Sequence, residues 1–276
     1  MTDKLLITVA PSIPPTMAAQ IPGLDLSPEG IAREVVRAAN AGANVVHLHV
    51  WDEAGQPTMD LAAFERTLRL IRAGCDIVIE GSTGGVNTLT AAERCVSLQA
   101  DIELASLNPG SVNYDKGVYV NSPDDIAFWA QEMHQRRIKP DIAIFEAGMI
   151  ANAVSLAEQG WIARPMLFGF VLGQRGALPA TPKNLLFLSE TIPAGSLWGV
   201  VGHGGSDLRL AALALNMGGH VRAGFEDNPF YRPGERATSN AQLIERLVRI
   251  ARELGREPAT PAEARQMLGL ATIRFR

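Results

Sequence analysis

Ser27-Pro28-Glu29-Gly30-Ile31-Ala32-Arg33-Glu34-Val35-Val36 runs on to Ala41-Gly42-Ala43 and then to Val45-Val46-His47-Leu48-His49-Val50. The first segment sets a serine at the capping position, a proline at the first helical position and a carboxylate in the first turn, which together start a helix. Gly42 stands where that helix must stop and turn. The β-branched run after it predicts a strand. Helix, glycine stop and strand make one link of a βα repeat, and Met217-Gly218-Gly219 repeats the stop ahead of the last strand. Strands are predicted near residues 5–10, 44–50, 76–81, 102–107, 140–146, 165–171, 197–202 and 219–224, with helical periodicity between them. Eight such units in 276 residues favour a closed (β/α)8 TIM barrel, an α/β fold of usually about 250 residues, over an open doubly wound sheet. No linker, repeat or low-complexity tract divides the chain, so residues 1–276 read as a single barrel catalytic domain. Thr260-Pro261-Ala262-Glu263 opens a C-terminal helical extension, expected on the outside of the barrel or against a neighbouring subunit.

Composition narrows the classes of function. Hydrophobic residues at 47% and charged residues at 20% suit a folded enzyme with a sizeable core and argue against disorder. The formal net charge is −4 and the Lys and Arg residues are dispersed, which leaves no basic stripe to follow a nucleic acid. With no signal-peptide pattern and no apolar run of bilayer length, a cytoplasmic protein without a membrane partner is expected. Cys75 and Cys95 are too few for a disulfide framework and lack CxxC spacing, so they read as buried or half-buried thiols.

His47 and His49 sit two residues apart on a strand, so their rings leave the same face and can reach one point. Barrel enzymes build their sites at the C-terminal ends of the strands, where this pair lies, and a shared divalent metal explains it; two hydrogen-bonded interior histidines would be the plainer account. Gly219-His220-Val221-Arg222-Ala223-Gly224-Phe225-Glu226-Asp227-Asn228 crowds an arginine, two carboxylates and an amide onto the last strand and its loop. Alternation places Arg222, Gly224 and Glu226 on one face, which lets Glu226 complete a His2Glu set while Gly224 leaves room for substrate. Such a set with an open position suits catalytic Zn2+, although Mn, Fe(II) or Co(II) accept the same ligands. Ser82-Thr83-Gly84-Gly85 can hold a carboxylate or phosphate with hydroxyls and backbone amides, or be a plain turn. Ser106-Leu107-Asn108-Pro109-Gly110 carries the same ambiguity. Glu146 is a further carboxylate at the catalytic face, or a cap for the next helix. Gly173-Gln174-Arg175-Gly176 suits a phosphate-bearing ligand. His203 is expected to face the site, and His134 to lie on the surface.

With His47-Leu48-His49, Ser82-Thr83-Gly84-Gly85, Phe145-Glu146-Ala147-Gly148-Met149, Pro182-Lys183-Asn184-Leu185 and the Gly219–Asn228 run in that order, the chain resembles the β-keto acid cleavage enzyme family from residue 5 to about 270. The resemblance implies a (β/α)8 barrel, zinc held by His47, His49 and Glu226, Asp227 as base and Arg222 beside it. It also implies that Ser82 and Ser106 help bind the substrate carboxylate and keto group. The implied reaction joins a β-keto acid to acetyl-CoA and releases acetoacetate and a new acyl-CoA, with acetyl-CoA as co-substrate and no redox cofactor. Family members look tetrameric, which implies a homo-oligomer. Arg175, Lys183 and Arg209 are candidates for the coenzyme A phosphates.

Departures from the family pattern bear on substrate. Relatives that act on a cationic amino substrate carry a glutamate in the loop after the first strand, whereas this chain reads Pro11-Ser12-Ile13-Pro14-Pro15-Thr16-Met17. A neutral or more apolar acyl chain is therefore expected. Trp51 replaces an arginine common in relatives, and Ala143 stands where some carry an inward acid, so a proton relay through that carboxylate is expected to be missing. Two other classes of function remain compatible with the residues alone: a metal-dependent barrel aldolase or hydrolase working without coenzyme A, and a non-catalytic binding protein.

Overall fold

Val45, Val46, His47 and Leu48 are all buried, as strands are when helices cover a parallel sheet on one face and the barrel closes on the other. The computed structural model describes residues 3–270 except Pro15, Thr16, Ala18, Ala19, 53–55, Val86 and 204–206. Eight parallel strands form a closed barrel: β1 (Ile7–Val9), β2 (Val45–Leu48), β3 (Val78–Gly81), β4 (Leu104–Leu107), β5 (Lys139–Ile144), β6 (Leu167–Leu172), β7 (Leu197–Gly202) and β8 (His220–Ala223). The last strand pairs with the first, Arg222 opposite Thr8. Each lies within two or three residues of its expected limits. Register places His47 beside Glu80 and Asp141 beside Ser106, so polar residues share the barrel interior.

The helix signals work as expected. Ser27 caps α1 (Pro28–Asn40) by accepting from the Gly30 N–H at 3.1 Å. Gly42 and Gly218 take positive φ of 116° and 83°, which a side chain would resist, and so turn helix ends towards β2 and β8. Around the barrel lie α2 (Leu61–Gly74), α3 (Ala91–Arg94), α4 (Pro123–Arg136), α5 (Gly148–Glu158), α6 (Pro182–Thr191), α7 (Asp207–Asn216) and α8 (Asn240–Glu253). None of the helices among the described residues is long and apolar enough to cross a membrane. Cys95 is buried, Cys75 half-buried, and both are free thiols.

The C-terminal extension corrects an expectation. α9 (Pro261–Leu268), opened by a Thr260/Glu263 capping box, packs beneath the barrel rather than on its outside. Its Ala264 and Leu268 pack with Leu6, Val45, Val78, Leu104 and Leu167, which lie at or beside the strand starts, because that open end is an apolar ring needing a cover. A short parallel pairing of residues 3–5 with 256–258 draws the two ends of the chain together there.

Candidate active site

Period-two geometry carries His47 and His49 to the same place, with ring centroids 5.2 Å apart. Glu226 comes to meet them: its Oε1 lies 3.5 Å from His47 Nε2 and 3.8 Å from His49 Nε2. Ligand atoms of the three residues all fall within 4.8 Å of one another. Burial pushes both imidazoles down to about 4, so at neutral pH they are uncharged and offer lone pairs. His47 Nδ1 is engaged at 2.7 Å by Glu80, which leaves Nε2 directed at the shared point. Burial opposes the charge on Glu226, but the Arg222 guanidinium beside it outweighs that cost and holds the carboxylate ionised. Two neutral nitrogens and one carboxylate oxygen fit a divalent ion.

Arg222 grips Asp227 with both ends of its fork, Nε to Oδ2 at 3.0 Å and Nη2 to Oδ1 at 2.9 Å, and also donates to Glu226 at 2.6 Å. Ser12 donates to the other Glu226 oxygen at 3.1 Å. Burial works against the Arg222 charge, and Asp227 and Glu226 more than restore it. Alternation does not deliver Glu226 here. β8 ends at Ala223, and the chain turns, with Asp227 and Asn228 N–H donating to the Gly224 carbonyl at 3.1 and 3.0 Å. Nor does Gly224 make room for substrate, since a Cβ there would stand 2.0 Å from the Ala10 carbonyl oxygen; its role is to let two backbones approach.

A family model, the beta-keto acid cleavage enzyme, matches residues 4–270. The chain belongs to that family. It is 43% identical over 272 residues to the 3-keto-5-aminohexanoate cleavage enzyme of Fusobacterium nucleatum, covering 98% of this chain and 99% of that one. To the 3-oxoadipate:acetyl-CoA acetyltransferase of Cupriavidus necator it is 34% identical, covering 99% and 97%. The fold is also that of ObcA, solved as a ternary complex with a C4-CoA adduct and oxalate, with a TM-score of 0.77 at 21% identity over 90% of this chain and 68% of that chain.

For a member of this family, the loop Ser82–Gly85 shows a division of labour. Thr83 is fully buried; its N–H donates to Ser106 Oγ at 3.0 Å and its hydroxyl to the Ser106 carbonyl, so Thr83 anchors the loop instead of facing the mouth. Ser82 Oγ accepts from the Gly84 N–H at 3.0 Å and keeps its proton to donate. Ser106, the partner of both Thr83 bonds, lines a cavity of about 60 Å³ inside the barrel, together with Glu80, Asp141 and Arg222. Glu146 follows β5 in the turn before α5, half-buried, and does not cap that helix, whose N-cap is Ala147. Arg175, Lys183 and Arg209 are exposed, Arg175 beside Asp115 at 3.5 Å. His203 follows β7 half-buried, and His134 is exposed.

Sequence reasoning missed Glu80 and Asp141. Both are ionisable side chains inside apolar strands, and burial pushes each up to about 8. The available signal was periodic: Glu80 lies two before Ser82, and Asp141 two before Ala143, hence on the same inward faces. The barrel interior is thus not short of a β5 carboxylate, because Asp141 supplies one a layer below Ala143. Trp51 is buried with its ring 6.4 Å from His49. In the loop after β1, Ser12 and Ile13 are described, while Pro15 and Thr16 lie outside the described residues.

Proposed function

We propose that this enzyme exchanges acyl groups between a β-keto acid and acetyl-CoA, giving acetoacetate and a new acyl-CoA. The observation that carries the reading is the Arg222-clamped Asp227 beside the His47, His49 and Glu226 set. A divalent ion held by those three residues, zinc by preference over Mn, Fe(II) or Co(II), would supply Lewis-acid polarisation of a keto oxygen. Asp227 takes a proton from the carbon between the keto and carboxylate groups, its orientation set by the guanidinium fork. That carbon then bonds to the acetyl carbonyl of acetyl-CoA and the coenzyme A thiolate leaves; the thiolate adds to the original keto carbon, the bond from that carbon to the deprotonated one breaks, and Asp227 returns its proton to the carbanion to give acetoacetate. In this reading Ser82 and Ser106 orient substrate oxygens, and Glu146, after β5, is a further substrate-binding residue.

Relatives named for 3-keto-5-aminohexanoate and 3-oxoadipate:acetyl-CoA chemistry support this class without setting the acyl group. The buried Trp51 and the Ser12-Ile13 loop favour a neutral acyl chain over a cationic one. The same reading takes residues 1–276 as one catalytic domain, cytoplasmic and homotetrameric. The test incubates zinc-replete protein with neutral, cationic and acidic β-keto acids plus acetyl-CoA, beside Glu226→Ala, and follows products by mass spectrometry. Acetoacetate with a matching acyl-CoA, lost in the variant, is expected; cleavage without coenzyme A would replace this reading with an aldolase or hydrolase.

A further inference from the structure

Arg94 is a cation buried to 3% exposure, and among the described residues no carboxylate pairs with it. Its fork donates to the Thr83 carbonyl at 3.2 Å, the Val120 carbonyl at 3.0 Å, Asn121 Oδ1 at 2.7 Å and the Tyr119 hydroxyl at 2.6 Å. The guanidinium also lies over the Trp129 ring at 4.3 Å and the Tyr119 ring at 4.9 Å. Carbonyl dipoles and ring faces soften the cost of burying such a charge, but they do not neutralise it. Positive potential is left over, and it is exported along the bond to Tyr119.

A phenolic oxygen accepts up to two hydrogen bonds and donates one. Tyr119 accepts the Arg94 bond at 2.6 Å and a longer one from the Asn108 amide at 3.4 Å. Its acceptor side is occupied by donors, so its own proton is directed elsewhere. Burial raises the phenol above its ordinary value, which keeps that proton in place at neutral pH. The hydroxyl faces Gly84. A Cβ on Gly84 would stand 3.1 Å from Ser82 Oγ, 3.7 Å from Tyr119 Oη and 3.8 Å from His49 Cε1. Glycine therefore keeps open a small space bounded by two hydroxyls and a ring of the His2Glu set.

We propose that Tyr119 is a substrate-binding residue that donates, together with Ser82, to the carboxylate of the β-keto acid, and that Arg94 is the positioning residue that aims and polarises its hydroxyl. The inference rests on the β-keto acid reading above. Two hydroxyls backed by an unpaired cation form a site for a single anionic oxygen, such as one oxygen of a carboxylate. Gly84 sets the size of that site, and Arg94 supplies the charge without itself touching substrate.

The test measures binding of acetoacetate and of its uncharged methyl ester to zinc-replete protein by calorimetry, with acyl exchange followed in parallel. Tyr119→Phe keeps the ring and removes only the hydroxyl; it is expected to weaken acetoacetate by about tenfold or more while leaving the ester unchanged. Arg94→Lys is expected to weaken acetoacetate too, and to add little in the Tyr119→Phe background because both act through one bond. Wild-type acetoacetate affinity in Tyr119→Phe, or equal loss for acid and ester in a variant with an unchanged melting curve, overturns the proposal. Tyr119-dependent binding without acyl exchange by the wild type would sink the proposed function and leave this subsite standing. Absence of both binding and exchange in the wild type removes both.

Discussion

Glu80 uses one carboxylate oxygen on His47 and leaves the other, Oε2, without a partner inside the barrel. A cation at His47 Nε2 would need the proton on Nδ1, and its charge would favour the ionised form of Glu80, whose oxygen 2.7 Å away could then accept from Nδ1. Glu80→Gln preserves shape and removes that ionised acceptor. Zinc affinity, measured against a competing chelator, is expected to fall by about ten- to a hundredfold with the circular dichroism spectrum unchanged. Unchanged affinity would show that Glu80 does not tune the His2Glu set. Thr83 illustrates the opposite case, a polar side chain in the right motif whose bonds are all committed to holding a loop.

Helix α9 shows how an element acquires its role from what it covers. Leu268 is fully buried under the ring of Leu6, Val45, Val78, Leu104 and Leu167. Leu268→Ala would open a void where several strands begin, and a loss of about 2–4 kcal/mol is expected in urea unfolding, with zinc affinity retained at the far end of the barrel. A loss well under about 1 kcal/mol would mean that the helix merely rests on the barrel. The caps of α1 and α9 were readable because capping is local, involving residues three apart. The docking face of α9 was not, since an apolar stripe names no partner.

Closure of the whole barrel depends on the seam between β8 and β1, where His220 Nδ1 accepts the Leu6 N–H at 3.3 Å. Burial, with Arg256 nearby, pushes His220 down to about 3 from the ordinary 6.5. The unfolded chain therefore takes up a proton that the folded one refuses. Its contribution is complete above pH 6.5 and declines as pH falls towards 3, by about 2 kcal/mol at pH 5. His47 and His49 act in the same direction, so the informative quantity is a difference. The stability advantage of wild type over His220→Asn is expected to shrink between pH 6.5 and 5; parallel curves would remove His220 from the account.

Sequence by itself determined the number and order of the βα units and the placing of His47, His49 and Arg222 at strand ends. Those features are written in local periods, caps and glycine stops, each spanning a few residues. Tertiary structure alone decided that Glu226 arrives by a turn, that Gly224 yields to the Ala10 backbone, and that Glu80 and Asp141 share one interior. It also brought Arg94 and Tyr119, 25 residues apart, to the edge of the site. These are contacts between strands and loops distant in the chain, fixed by barrel closure and packing, for which no local pattern exists to be read.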